Sequence, residues 1–122
     1  MKARRAIGLI AIYTWGPFFE DILLGIQSVT QRHGIDIIAI QGTVAQVAQR
    51  QLARDRVDGW LVLSYAQGLD LLVAQGKPLV TIGTRAPGQR CPAVLANNQQ
   101  GIAEVMEHLF AQGHTRIAFI GS

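Results

Sequence analysis

Apolar residues in this chain fall into short runs separated by stretches of helical spacing. The runs from Ala6 to Tyr13, Ile35 to Ile40, Val57 to Leu63, Leu79 to Gly83 and Arg116 to Ile120 are continuous or nearly so. They are rich in Ile, Val and Leu. A strand that is apolar on both faces belongs in a parallel sheet covered by helices on either side. Between the runs, Phe19, Ile22, Leu23, Ile26, Val29 and Thr30 recur at helical spacing, as do Val44, Val47, Ala48 and Leu52. A shorter set follows at Leu69, Leu72 and Val73, and a last one at Ile102, Val105, Met106, Leu109 and Phe110. Each set predicts a helix with one apolar face.

The punctuation agrees with these boundaries. Pro17 suits a first helical turn, where its missing N–H is no loss. Gly34, Gly76 and Gly113 stand where left-handed residues would end helices before strands. Asn97 or Asn98 can cap the last helix through a short amide side chain. From Thr84 to Pro92 the pattern is irregular, a surface loop with room for a short extra strand from Ala93 to Leu95. The alternation predicts an α/β fold: one doubly wound parallel sheet of five strands in the flavodoxin-like order 2-1-3-4-5.

Composition narrows the class. At 122 residues, 49% apolar and 16% charged, the chain fits one domain and is too apolar to be disordered. The single Cys91 excludes an internal disulfide framework. The formal charge of +3 clusters only weakly along the sequence, at Lys2, Arg4 and Arg5, at Arg50, Arg54 and Arg56, and at Arg85 and Arg90. A nucleic-acid surface calls for a denser basic stripe interleaved with aromatics, so this chain itself is expected to bind no nucleic acid. Met1 to Arg5 followed by an apolar run imitates a signal peptide, but the run is short and Trp15-Gly16-Pro17 stands in place of a cleavage site. No run approaches the ~20 apolar residues that span a bilayer. The expectation is a cytoplasmic chain that does not enter membranes.

In an open parallel sheet, ligands bind beyond the carboxyl ends of the strands, where the strand order reverses. The loop after the first run, Tyr13-Thr14-Trp15-Gly16-Pro17-Phe18-Phe19, concentrates aromatic rings there. Flat rings suit sugars or planar bases, and Tyr and Trp add polar edges. One of Phe18 and Phe19 is expected to pack helix one and the other to face the cleft. After the third run, Ser64, Tyr65 and Gln67 offer hydrogen-bonding groups, and after the fourth, Thr84 and Arg85 do the same, Arg85 either forking onto a ligand oxygen or, the reading slightly favoured, pairing with a carboxylate or loop carbonyls. The predicted ligand-binding residues are Tyr13, Trp15, Phe18, Phe19, Ser64 and Arg85.

Other chemistries lack their motifs. No G-x-x-x-x-G-K-[ST] is present, since Gly76-Lys77 runs into Pro78, and no G-x-G-x-x-G follows the first run. His33, His108 and His114 are scattered and share no ligand spacing with Cys91. Ser64 lacks G-x-S-x-G surroundings. Glu20 and Asp21 are adjacent on one helix and point to different sides, while Glu104 and Glu107 read as a solvated face. No catalytic residue, metal or cofactor is expected.

A family resemblance rests on several segments in order. Ala6-Ile7-Gly8-Leu9-Ile10, Gly16-Pro17-Phe18-Phe19 and Leu24-Gly25-Ile26 resemble the opening of the lactose-repressor (LacI/GalR-type) ligand-sensing domain. So do Val57-Asp58-Gly59-Trp60-Leu61-Val62 and Lys77-Pro78-Leu79-Val80-Thr81-Ile82. Asn98-Gln99-Gln100-Gly101-Ile102, Glu107-His108-Leu109 and the stretch from Gly113 to Gly121 resemble that family's next segment. The resemblance implies a periplasmic-binding-protein-like sensor in which a small effector, a sugar or nucleoside, closes two lobes. It also implies a homodimer in contact through helix one or helix two, and DNA binding through a helix-turn-helix. By position it supports Phe18 or Phe19, Ser64 and Arg85 as cleft residues.

Two departures stand out. Asn97 replaces the Asp usual before Asn98, which removes a carboxylate. Neither the second lobe nor the helix-turn-helix is matched, so residues 1–122 are expected to be a single N-terminal lobe. The alternatives are the sensor lobe of a diguanylate cyclase or kinase, or a free-standing flavodoxin-like domain.

Overall fold

The computed structural model describes residues 4–121. Four of the apolar runs become the strands β1 (Ala6–Ala11), β2 (Asp36–Gln41), β3 (Gly59–Leu63) and β4 (Leu79–Ile82). A two-residue strand, β5 (Ala93–Val94), completes a sheet in the order β2-β1-β3-β4-β5, with every pairing parallel. The helices are α1 (Pro17–Thr30), α2 (Val44–Gln49), α3 (Leu69–Val73) and α4 (Asn98–Ala111).

Handedness decides which face each helix covers. The step from β1 to β2 goes one way across the sheet, and the steps to β3 and β4 go the other. Right-handed crossovers therefore put α1 on one face and α2 with α3 on the opposite one. Side-chain parity agrees. Leu9 and Ala11 of β1 pack with Phe19, Leu23 and Ile26 of α1. Ile10, Trp60 and Val62 point the other way, onto Val44 and Val47 of α2 and Leu69 and Leu72 of α3. Gly8 belongs to this second face and sits in register with Trp60. A Cβ at that position would overlap the six-membered ring of the indole, so only a glycine leaves Trp60 its place.

Helix ends follow the predicted chemistry. Pro17 opens α1. Asn97, not Asn98, caps α4, its side chain accepting from the Gln100 N–H at 3.2 Å. Thr43 and Gln46 form a reciprocal capping box at the start of α2. The turns after α1, α3 and α4 close through left-handed Gly34, Gly76 and Gly113 (φ 62°, 75° and 86°). After α2 the chain instead uses Gln51 and Ala53, both left-handed without being glycine. The Lys77 ammonium donates to the carbonyls of Arg54 and Val57 and ties this turn to the start of β4.

The identity of the fifth strand is a correction. The run from Arg116 to Ile120 was the expected edge strand, but it forms none, and Phe119 and Ile120 are 90% and 96% exposed. Ser122, where that strand was expected to end, lies outside the described residues. The place beside β4 is already filled. The Thr81 N–H donates to Pro92 O at 3.0 Å and the Gly83 N–H to Val94 O at 2.8 Å, so the loop returning from β4 supplies the neighbour first. Helix α4 forms as expected, yet none of its residues is buried. Its Ile102, Val105 and Phe110 face outward rather than onto this sheet.

Candidate functional site

Parallel strands bring the loops after β1, β3 and β4 to one end of the sheet. There they enclose a cavity of about 420 Å³ lined by segments 12–13, 15–19, 63–65 and 82–84. Its position beside β1 and β3 is where the strand order reverses.

The aromatic loop is built from the start of α1 backwards. Gly16 takes a conformation with φ 92° and precedes Pro17, and its carbonyl accepts the Glu20 N–H at 3.0 Å. This starts the helix abruptly and leaves the residues between it and β1 as a short arch. Thr14 Oγ1 donates to Gln41 Oε1 at 2.9 Å, which fastens the arch to the end of β2. Tyr13 and Trp15 meet edge to face, with ring centroids 5.8 Å apart and an interplanar angle of 62°. Both are exposed, so the pair forms one wall of the opening.

Phe18 and Phe19 divide their roles. Phe19 is 6% exposed and packs with Leu9 and Ala11, whereas Phe18 is 70% exposed at the cavity mouth. Ser64 follows β3 and lines the cavity. Its Oγ is buried and, among the described residues, has no hydrogen-bond partner. An unpaired buried hydroxyl costs about 1–3 kcal/mol, so a polar ligand atom reaching it would recover that penalty.

Thr81 organises the third wall. It is buried, and its Oγ1 donates to Thr84 O at 2.7 Å, which curls the residues after β4 back over the strand end. Ile82, Gly83 and Thr84 thereby reach the cavity, while Arg85, the next residue along, does not line it. Of the six residues singled out in the sequence, Tyr13, Trp15, Phe18, Phe19 and Ser64 are thus brought together, and Arg85 is left outside. Tyr65 and Thr84 also line the cavity; both carried the same signal as Ser64, a polar side chain just past an apolar run. Ile82 carried none, because an apolar residue at a strand end reads as core.

The walls are aromatic and aliphatic, with hydroxyls at Tyr13, Ser64, Tyr65 and Thr84 and no carboxylate, histidine or cysteine among the lining residues. Such a cavity can hold a flat or ring-shaped neutral molecule by apolar contact and orient it by hydrogen bonds. Among the described residues no cluster of three or more His, Cys, Asp or Glu is placed to hold a metal ion, and no helix is long and apolar enough to cross a membrane.

Comparison with known proteins places the chain. The model of the family described as periplasmic binding proteins and sugar binding domain of LacI family matches residues 4–122, and the chain belongs to that family. It is 27% identical over 124 residues to the HTH-type transcriptional repressor PurR of Aliivibrio fischeri, covering 95% of this chain and 37% of that protein. The chain thus spans about a third of the length of the curated relatives it matches. A solved LacI family transcriptional regulator from Mycobacterium smegmatis superposes with a TM-score of 0.76 at 35% identity, over 93% of this chain and 43% of that one. The fold is shared as well by a LacI family regulator from Enterococcus faecium with bound ribose, at a TM-score of 0.75 and 23% identity, over 90% and 42% of the two chains.

Proposed function

We propose that residues 1–122 form the N-terminal lobe of the small-molecule-sensing domain of a LacI-family transcriptional regulator. The cavity at the carboxyl ends of the strands is its half of the effector site. Trp15, Tyr13 and Phe18 supply flat surfaces for a sugar or nucleoside, Phe19 holds the arch on the core, and Ser64 presents a hydroxyl to a polar atom of the ligand. Arg85, outside the lining, acts from the rim. The observation that carries this reading is the unpaired, buried Ser64 Oγ in an aromatic-walled cavity at the reversal of strand order.

Further support comes from what the lobe leaves uncovered. Helix α4 and the segment after it expose Ile102, Val105, Phe110, Phe119 and Ile120, a row suited to a second lobe. The relatives are long enough to contain one. Regulation of transcription rests on those relatives, which are named HTH-type repressors, and it implies a cytoplasmic protein that meets DNA through a helix-turn-helix outside these residues. A homodimer completes the proposal, with Leu24 and Val29 on the exposed side of α1 as its contact. Sedimentation of Leu24→Lys beside the parent chain tests that part.

The effector site is tested by NMR titration with ribose and adenosine. A single lobe leaves one face of the ligand in water, so binding no tighter than roughly millimolar is expected, about −4 kcal/mol. Shifts should concentrate at Tyr13 to Phe19, Ser64, Tyr65 and Ile82 to Thr84. Shifts confined to another part of the chain would refute the site, and a micromolar complex would refute the single-lobe reading.

A further inference from the structure

The fold gathers charge that is scattered along the sequence. Because all five strands are parallel, the segments that enter them lie together at the end of the sheet opposite the cavity. Arg4 and Arg5 lead into β1, Arg32 lies in the turn before β2, and Arg50, Arg54 and Arg56 span the turn before β3. Lys77 precedes β4, and Arg90 precedes β5. Together these are eight of the eleven Lys and Arg residues of the chain; Lys2 lies outside the described residues. Contacts confirm the common end. Arg4 Nε donates to Gly34 O at 3.2 Å, Lys77 Nζ bonds the Arg54 and Val57 carbonyls, and Lys77 and Arg90 line one hollow.

Neutralisation there is incomplete. Asp36 pairs with Arg4 at 3.1 Å, the only ion pair among the described residues. Asp58 is occupied by the Ala6 N–H at 2.9 Å, and Asp55 is the remaining carboxylate of this end. Arg5, Arg32, Arg50, Arg54, Arg56 and Arg90 are all exposed guanidinium groups outside any ion pair. At the cavity end the balance is reversed: Glu20, Asp21 and Asp70 stand near the starts of α1 and α3, against Arg85.

Against the expectation drawn from charge along the sequence, that this chain binds no nucleic acid, we infer that this basic end docks on the phosphate backbone of duplex nucleic acid without reading its bases. Guanidinium forks match phosphate oxygens in pairs. Contacts of that kind position a protein and carry no sequence information. The loops of this end hold no Phe, Tyr or Trp and a single imidazole, His33, so unpaired bases would find little to stack on, and a duplex is the better fit. Size agrees: the sheet is about 19 Å wide at ~4.8 Å per strand spacing, and a duplex presents one charge per ~1.7 Å of its axis, about eleven over that width. The surface lies roughly 20 Å from the cavity, the length of β1, so a bound effector and a bound duplex do not compete for space.

The test is fluorescence anisotropy of a labelled random-sequence duplex of roughly 20 base pairs, titrated with the full chain at several KCl concentrations. The expected dissociation constant is about 10⁻⁴–10⁻⁶ M, weakening steeply with salt. The triple variant Arg50→Gln/Arg54→Gln/Arg56→Gln should lower the slope of log K against log salt by up to about 2.7, since each phosphate contributes ~0.9. Arg5→Gln/Arg90→Gln, on two other loops, repeats the test with a drop of about 1.8. The pair Glu20→Gln/Asp21→Asn raises the net charge without touching the basic end and should leave the slope unchanged. Failure to bind at low salt overturns the inference, as does a slope indifferent to both arginine variants or an equal response to the Glu20/Asp21 pair. Equally tight binding to phosphatidylserine vesicles or to poly-glutamate overturns the assignment to a duplex.

Discussion

Replacing Ser64 by Ala should stabilise the ligand-free lobe while weakening ligand binding, two effects of opposite sign from one atom. The Ser64 Oγ is buried among the cavity walls and has no partner among the described residues. A buried hydroxyl in that condition costs about 1–3 kcal/mol, whereas Ala keeps the Cβ, drops the hydroxyl and needs no partner. Part of that cost returns as lost packing, so a net gain of about 1 kcal/mol is expected, or roughly 4 °C in Tm for a domain of this size. Urea denaturation followed by far-UV circular dichroism reads the change, with an unaltered m-value showing that the denatured state is unaffected. Ser28→Ala is the control. Its Oγ already donates to Gly25 O at 2.7 Å, so its loss should not stabilise. Binding of ribose or adenosine, followed by NMR shifts, should weaken by about 2–13-fold, the equivalent of one hydrogen bond of 0.5–1.5 kcal/mol. A Ser64→Ala protein destabilised by more than about 0.5 kcal/mol would show that the hydroxyl is already satisfied, and the site would lose its main polar anchor.

Three further substitutions test the frame that holds the site. Gly8→Ala places a methyl group against the Trp60 ring and should cost about 1–3 kcal/mol in urea, with Gly8→Ala/Trp60→Leu less destabilised than the two single effects added together. Ala53→Gly relieves a left-handed residue (φ 53°) and should raise stability by about 0.5–1 kcal/mol; a loss of that size would show that the turn does not strain the chain. Thr81→Val removes the hydroxyl that holds Thr84 O at 2.7 Å, and hydrogen exchange should quicken about tenfold in the residues after β4 while the amides of β1 keep their protection. Uniform quickening across the sheet would mean that Thr81 serves global stability and not the wall of the cavity.

How much of this was legible in the sequence depends on whether a feature is local or is created by the topology. β1 to β4 were legible because each is a short apolar run that no amphipathic surface strand would show. The run from Arg116 to Ile120 has the same local character and yet stays out of the sheet, because hydrophobicity states that a segment is to be covered and not by what. The two-residue β5 falls within the expected short strand from Ala93 to Leu95, but its apolar run is too brief to rank it as the fifth strand of the sheet, and only its backbone bonds to β4 do that. The division between Phe18 and Phe19 was within reach. Phe19, Leu23, Ile26 and Thr30 recur on one face of α1, and Phe18 stands a ring's turn away from that row. Arg85 follows the fourth run just as Thr84 does, but the Thr81 hydroxyl that turns Thr84 inward belongs to the strand before it, and only the folded loop reveals that one residue is brought in and the next left out. Charge shows the same limit most clearly. Arg5, Arg32, Arg54 and Arg90 are far apart in the sequence and read there as separate solvated residues. Parallel strands return every connection to the same end, so neighbours across loops replace neighbours along the chain, and a modest net charge becomes a concentrated one.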